Sequence, residues 1–166
     1  MYRIYNLWSL FRYDIPRFMG NIWKFRKALW VYYPFDYVGL LHFLEVGVKD
    51  MSDNIEKYGY EILTSRAKKI QKMRRAFEIL NNHTEDKYQE IAELELGQIP
   101  EKFWKDNQTP EESDHIKKVI ERALSIEEEE WNELILIFKG QDYSNFDPNV
   151  DFYDQFDGSG LKTWWD

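Results

Sequence analysis

Residues 37–58, YVGLLHFLEVGVKDMSDNIEKY, decide the fold of this chain. Tyr37, Leu41, Leu44, Val48, Met51, Ile55 and Tyr58 recur at alternating spacings of four and three, which places them on one stripe of an α-helix. A regular seam of this kind needs a partner helix to cover it. The helix is predicted to start after Pro34 with Asp36 as its cap. It should stop at Gly59, where a left-handed residue can close the last turn. Downstream of Leu63 a matching stripe is formed by Ile70, Met73, Phe77 and Leu80. The simplest way to bury both stripes is an antiparallel helical hairpin that turns near Gly59. A carboxylate at Leu44, inside the seam, is then expected to unfold the protein.

Outward from the hairpin the pattern stays helical. Asp14 followed by Pro16 reads as a cap and first turn, and Phe18, Ile22, Phe25 and Leu29 form a stripe that ends before Pro34. Met19, Trp23 and Trp30 add a second stripe, with Arg17, Lys24, Arg26 and Lys27 between the two. That arrangement resembles a helix lying on a membrane surface. Aromatic residues at helical spacing usually belong to a core, so packing against both the hairpin and another element is expected instead. The aromatic lead before it holds Tyr2, Tyr5, Trp8, Phe11 and Tyr13.

Beyond the hairpin, Asn82 and Glu85 have the spacing of a capping box, and a helix should run through Tyr88, Ile91, Ala92 and Leu96 to Gly97. A loop with Phe103 and Trp104 follows. Thr109, Pro110 and Glu112 form a strong helix start, lined inside by Ile116, Val119, Ile120, Ala123 and Leu124. This helix either restarts at Ser125 or continues unbroken to Gly140, which at 1.5 Å per residue makes it about 45 Å long. The sequence therefore predicts an all-α protein, a helical bundle built on a long antiparallel hairpin over residues 1–140. Residues 141–166 form an irregular aromatic and acidic tail in which Tyr143, Phe146, Phe152, Tyr153, Phe156, Trp164 and Trp165 alternate with aspartates. Disordered tails are poor in aromatic residues, so this one is expected to dock, with Gly158, Ser159 and Gly160 supplying a bend.

The composition narrows the function. The 166 residues contain no cysteine, which excludes a disulfide framework and thiolate zinc sites and suits a reducing compartment. Apolar runs are too short to span a bilayer, and Met1 to Tyr13 offers no small-residue cleavage site for secretion. The net charge of −8 is unevenly spread: residues 1–82 carry +6 and residues 83–166 carry −14. The two halves should attract each other within the fold or between copies, so a homo-oligomer is expected. Arg66, Lys68, Lys69, Lys72, Arg74 and Arg75 lie within ten residues that contain no acid. Such a face can meet phosphates but reads no bases, and the acidic total argues against duplex nucleic acid.

Motifs for catalysis are sparse. Glu90 with Glu93 and Glu127 with Glu130 place carboxylates three apart, a pattern that can hold magnesium in an all-helical nucleotide pyrophosphohydrolase, although no downstream Glu-x-x-Asp completes the set. Asp147, Asn149 and Asp151 begin like a calcium loop, yet Phe152 stands where that loop needs Gly and Gly158 where it needs Glu. His42 and Glu45 share a helical face but make only two ligands, and His83 and His115 lack partners at ligand spacing. No cofactor or metal is predicted.

The stretches DIPRFMGNIWKFRKALW, SRAKKIQKMRRAFEIL and EEEEWNELILIFKG, with the ending DGSGLKTWWD, resemble a group of small proteins encoded by tailed bacteriophages. The resemblance implies expression in the cytoplasm of an infected bacterial host and brings no activity or site residue. Together with the residue pattern it leads to the expectation of a non-enzymatic accessory protein. Such a protein would sequester a small anionic, nucleotide-type ligand or bind a host defence protein. Arg66, Lys69 and Arg74 would meet the phosphates, and Trp164 and Trp165 would stack on or cover the ligand. The alternatives are a virion or assembly protein that uses the tail as an interaction arm, and the metal-dependent hydrolase.

Overall fold

The computed structural model describes residues 8–100 and 109–164. Among them lie six α-helices and no strand: α1 (Ile15–Val31), α2 (Tyr37–Tyr58), α3 (Leu63–Thr84), α4 (Tyr88–Leu96), α5 (Pro110–Lys139) and α6 (Phe152–Gln155). None of these helices is long and apolar enough to cross a membrane. Tyr2, Tyr5, Phe103, Trp104 and Trp165 lie outside the described residues.

The predicted hairpin is the centre of the fold, with α2 and α3 packed antiparallel. Asp36 caps α2 by accepting the Val38 N–H at 2.9 Å. The buried stripe of α2 is Leu41, Val48, Ser52 and Ile55, with Glu45 alongside. It meets Ile70, Met73, Ala76, Ile79 and Leu80 of α3. This register differs from the predicted seam. Only every second seam position is buried: Val48 is 4% exposed, whereas Leu44 is 41% exposed and Tyr37, Met51 and Tyr58 also face outward. The stripe turns away from them because two polar residues have partners or space on the α3 side. Glu45 accepts from Asn81 Nδ2 and Thr84 Oγ1, both at 3.1 Å, and small Ser52 allows close approach. Leu44→Asp therefore does not test the hairpin. Gly59 also departs from expectation: its φ of −63° is extended backbone, and the turn is held by Arg66, which donates to the Gly59 carbonyl at 2.7 Å.

At the other end of the hairpin the predicted capping box at Asn82 does not form. Helix α3 runs on through Thr84, because both asparagine side chains are used elsewhere: Asn81 on Glu45 and Asn82 on Glu130. Asp86, with φ of +50°, turns the chain into α4. The box predicted at Thr109 is present in both arms, Glu112 N–H to Thr109 Oγ1 at 3.2 Å and Thr109 N–H to Glu112 Oε2 at 2.8 Å. Helix α5 runs unbroken for 30 residues. Its first half packs antiparallel on α4 around Tyr88, Ala92, Val119 and Ile126. Its second half brings Leu134 and Ile137 to the hairpin core.

Helix α1 folds back on α2 through Phe25, stacked on Phe43 with ring centroids 6.0 Å apart, through Ala28, and through a Lys24–Asp50 ion pair. Asp14 is not its cap. The helix continues upstream as a π-turn, Leu10–Asp14, in which the Ile15 N–H reaches the Leu10 carbonyl. Pro16 accounts for it: the ring lacks an N–H and crowds the preceding turn, and a wider turn relieves that clash.

The tail docks on its own chain. Gly158, Ser159 and Gly160 are wedged between α3 and the end of α5, with Gly160 N–H donating to the Ile137 carbonyl at 2.7 Å. A Cβ on Gly158 would stand 2.3 Å from the backbone of Lys68, and its φ of +86° favours glycine. Trp164 is 1% exposed, packs edge-to-face on Phe138 at 5.8 Å and donates Nε1 to the Gly158 carbonyl at 2.8 Å. The basic helix holds the tail mainly through backbone carbonyls, Lys68 Nζ donating to Tyr153 O at 2.8 Å; the carboxylate contact, Lys72 to Asp157, is a long 3.9 Å.

Candidate functional site

The cations of α3 do not form one cluster. Arg66 and Arg74 line an open groove of about 840 Å³ together with Gln71, Lys72, Arg75 and Glu133. Arg74 is engaged by both carboxylate oxygens of Glu56, at 2.7 and 2.8 Å, and Arg75 by Glu133 and Glu130. Lys69 points away from this groove and is buried in an ion pair with Glu61. Lys69 falls in register with Ser65, Met73, Ala76 and Leu80, the buried stripe of α3. Trp164, sealed in the core, offers no face for stacking, and Trp165 lies outside the described residues. Of the five residues predicted to hold an anion, Arg66 and Arg74 share a surface, Lys69 is paired with Glu61 beside a separate cavity, and Trp164 is buried against Phe138.

A polar hub that the sequence reading missed joins α3, α4 and α5. Glu130 is buried in register with Ile126, Leu134 and Ile137. It accepts from Arg75 Nη2, Asn82 Nδ2 and the Tyr88 hydroxyl, each at 3.0 Å. Burial and the adjacent Glu130 carboxylate push the Tyr88 phenol far up. The Arg75 hydrogen bond holds Glu133 below the ordinary carboxylate value. Removing the hub acceptor leaves Asn82 Nδ2 and the Tyr88 hydroxyl without it, whereas Arg75 Nη2 keeps Glu133 and is partly solvated. Glu130→Ala is therefore expected to cost about 3 kcal/mol, read from urea unfolding; an unchanged midpoint would show that solvent replaces the hub.

With Glu130 so occupied, the carboxylates of the alternative magnesium reading do not converge among the described residues. Glu93 receives a hydrogen bond from Gln89, Glu90 is exposed, and Glu127 faces His83 at 3.9 Å. Among the described residues no group of three or more His, Asp or Glu side chains is placed to hold a metal ion.

His83 sits beside the hub with its ring edge-to-face against Tyr88 at 5.0 Å and Trp131 at 5.1 Å. Its Nε2 is buried without a hydrogen-bond partner among the described residues. A cavity of about 350 Å³ opens next to it, lined by Tyr37, Leu124, Glu127, Glu128 and Trp131. Burial lowers the His83 pKa from 6.5 despite the attraction of Glu127 and Glu130. The unfolded chain thus binds the proton first, and this group's contribution to stability falls as pH drops below 6.5. Thermal melts across mildly acidic pH should show that slope, and His83→Phe should flatten it.

Among the described residues a broad uncommitted surface runs along α1 and the turns just before it, taking in the Met19, Trp23 and Trp30 stripe and also Phe18 of the Phe25 stripe. Trp8, Phe11, Phe18, Trp23 and Trp30 are 62, 65, 62, 69 and 90% exposed. Met19 and Leu29 are more than half exposed beside them. Arg12 lies 5.7 Å from the centroid of Trp8, and Arg26 lies 4.3 Å from that of Trp23. The expected packing on two sides is therefore only half met: the extensive contacts of α1 among the described residues are with α2. At about 200 Å² per aromatic side chain, the five rings alone expose roughly 700 Å². Summed over both stripes, that is comparable with the ~300–600 Å² of the largest patch on a typical monomer and short of the ~800 Å² that one partner contributes to a stable interface.

No family model, curated protein or solved structure matches this chain.

Proposed function

We propose that this is a non-enzymatic accessory protein of a tailed bacteriophage, working in the infected cell by docking on protein through the outer face of α1. The observation that carries the reading is the run of five aromatic rings, each more than 60% exposed, on a helix anchored to a packed bundle. Exposed aromatic residues flanked by arginine are the composition of interface cores and binding hot spots. The rest of the molecule supports a platform role. The tail and the Glu130 hub tie α5 to the hairpin, while the groove arginine Arg74 and its neighbour Arg75 are committed to carboxylates. Weight therefore moves from a sequestered anion to a protein partner.

The double variant Phe18→Ser, Trp23→Ser tests this. Both side chains are surface groups, so helix content and melting temperature should match the parent. Proteins retained by the tagged parent from infected bacteria should be lost from the variant. Retention of the same partners by the variant would remove α1 from the binding surface.

A further inference from the structure

A second exposed apolar stripe lies on α5. Ile120, Leu124, Trp131 and Ile135 follow one another at helical spacing, and each is at least 40% exposed. Glu127 and Glu128 stand on the same face, beside the cavity walled by Tyr37, Leu124 and Trp131. Glu128 has no cationic partner among the described residues, and Glu127 has only the long contact with His83. On α1 the position is reversed: Arg12, Arg26 and Lys27 have no carboxylate partner among the described residues, and Arg12 and Arg26 lie against tryptophan rings of the exposed face. One surface is aromatic and positive, the other apolar and negative. Trp30, Tyr33, Phe35 and Tyr37, on and around the α1–α2 connection, are all exposed as well.

We propose that the outer face of α1 docks on the α5 face of a second copy of this chain, reciprocally, closing a two-fold dimer. The inference rests on reading α1 as a protein-docking face and names its first occupant. In the dimer the Trp8 and Trp23 rings cover the α5 stripe, and Arg26, beside Trp23, meets Glu127 and Glu128 next to Tyr37 and Trp131. A two-fold arrangement makes both contacts twice and leaves neither face open, whereas a head-to-tail contact would propagate into a filament. The α1 rings and the α5 stripe together expose about the area that one subunit of a stable dimer buries. An anionic bilayer would satisfy α1 but leave the α5 stripe in water, and it would repel a chain of net charge −8.

The reciprocal geometry permits a mixing test on the full chain, read by native mass spectrometry and sedimentation velocity. Arg12→Glu with Arg26→Glu makes both surfaces of one variant acidic; Glu127→Lys with Glu128→Lys makes both surfaces of the other basic. The parent should be a dimer. Each variant alone should be at least tenfold weaker in self-association with unchanged helix content, and an equimolar mixture should form a heterodimer. The milder pairs, Arg12→Gln with Arg26→Gln and Glu127→Gln with Glu128→Gln, should weaken the dimer and reduce its dependence on salt. A parent that is monomeric at all concentrations, variants that dimerise like the parent, or a mixture without heterodimer would each overturn the proposal. A monomeric parent that sediments with anionic vesicles would assign the α1 face to lipid and overturn the protein-docking reading as well. A monomeric parent that still retains other proteins through α1 would overturn the dimer alone.

Discussion

Replacing Val48 with aspartate is expected to abolish the cooperative unfolding transition, while the same change at Leu44, one helical turn earlier, leaves the protein folded. Val48 sits 4% exposed in the cluster that includes Leu41, Met73, Leu80 and Leu134. A carboxylate placed there must either stay charged in an apolar site or take up a proton, and no cation stands among these neighbours. The cost is several kcal/mol, a large part of the ~5–15 kcal/mol that holds a domain of this size. Leu44 is 41% exposed, and its carboxylate would point to water. Circular dichroism during thermal unfolding separates the two. A folded Val48→Asp protein, or an unfolded Leu44→Asp protein, would mean that α2 meets α3 in a different register.

The second large effect is expected at Trp164. Its indole is buried against Phe138, and its Nε1–H closes the tail onto the Gly158 carbonyl. Trp164→Ala removes the packing and the hydrogen bond together, and a loss of about 3–5 kcal/mol follows from substitutions of this kind. Gly158→Ala should act in the same direction by another route, because the new methyl group meets the Lys68 and Lys69 backbone in a φ region that alanine avoids. Urea midpoints for both variants and for a chain truncated before Gly158 should fall below the parent. If all three equal the parent, the tail is not part of the core and the bundle stands without it.

The elements were legible where a local rule decides them. Asp36 and the Thr109–Glu112 box mark helix starts because capping is a contact between near neighbours in sequence, and the hairpin followed from matched apolar stripes. The register of that hairpin was not legible from apolar residues alone. Glu45 and Ser52 belong to the buried stripe of α2, and Glu45 is acceptable there only because Asn81 and Thr84, more than thirty residues away, donate to it. Lys69 and Glu130 carry the same lesson. Each falls at a core spacing of its helix, yet charge made both read as surface; their partners, Glu61, Arg75, Asn82 and Tyr88, come from other elements or turns. Conversely, the second aromatic stripe of α1 has the pattern of a core face but receives no cover from the described residues. The sequence signal for burial and the signal for docking are the same hydrophobic periodicity, and only the arrangement of the neighbouring helices separates them.

The docking role of α1 is tested most directly by placing a photoactivatable benzophenone side chain at Trp23, and at exposed Gln89 on α4 as a control, in the full chain produced in infected bacteria. Illumination should give a discrete covalent protein adduct from position 23, identified by mass spectrometry, and none from position 89. Its mass distinguishes a second copy of this chain from any other protein. No protein adduct from position 23, or adducts to lipid alone, would contradict a protein-docking face on α1.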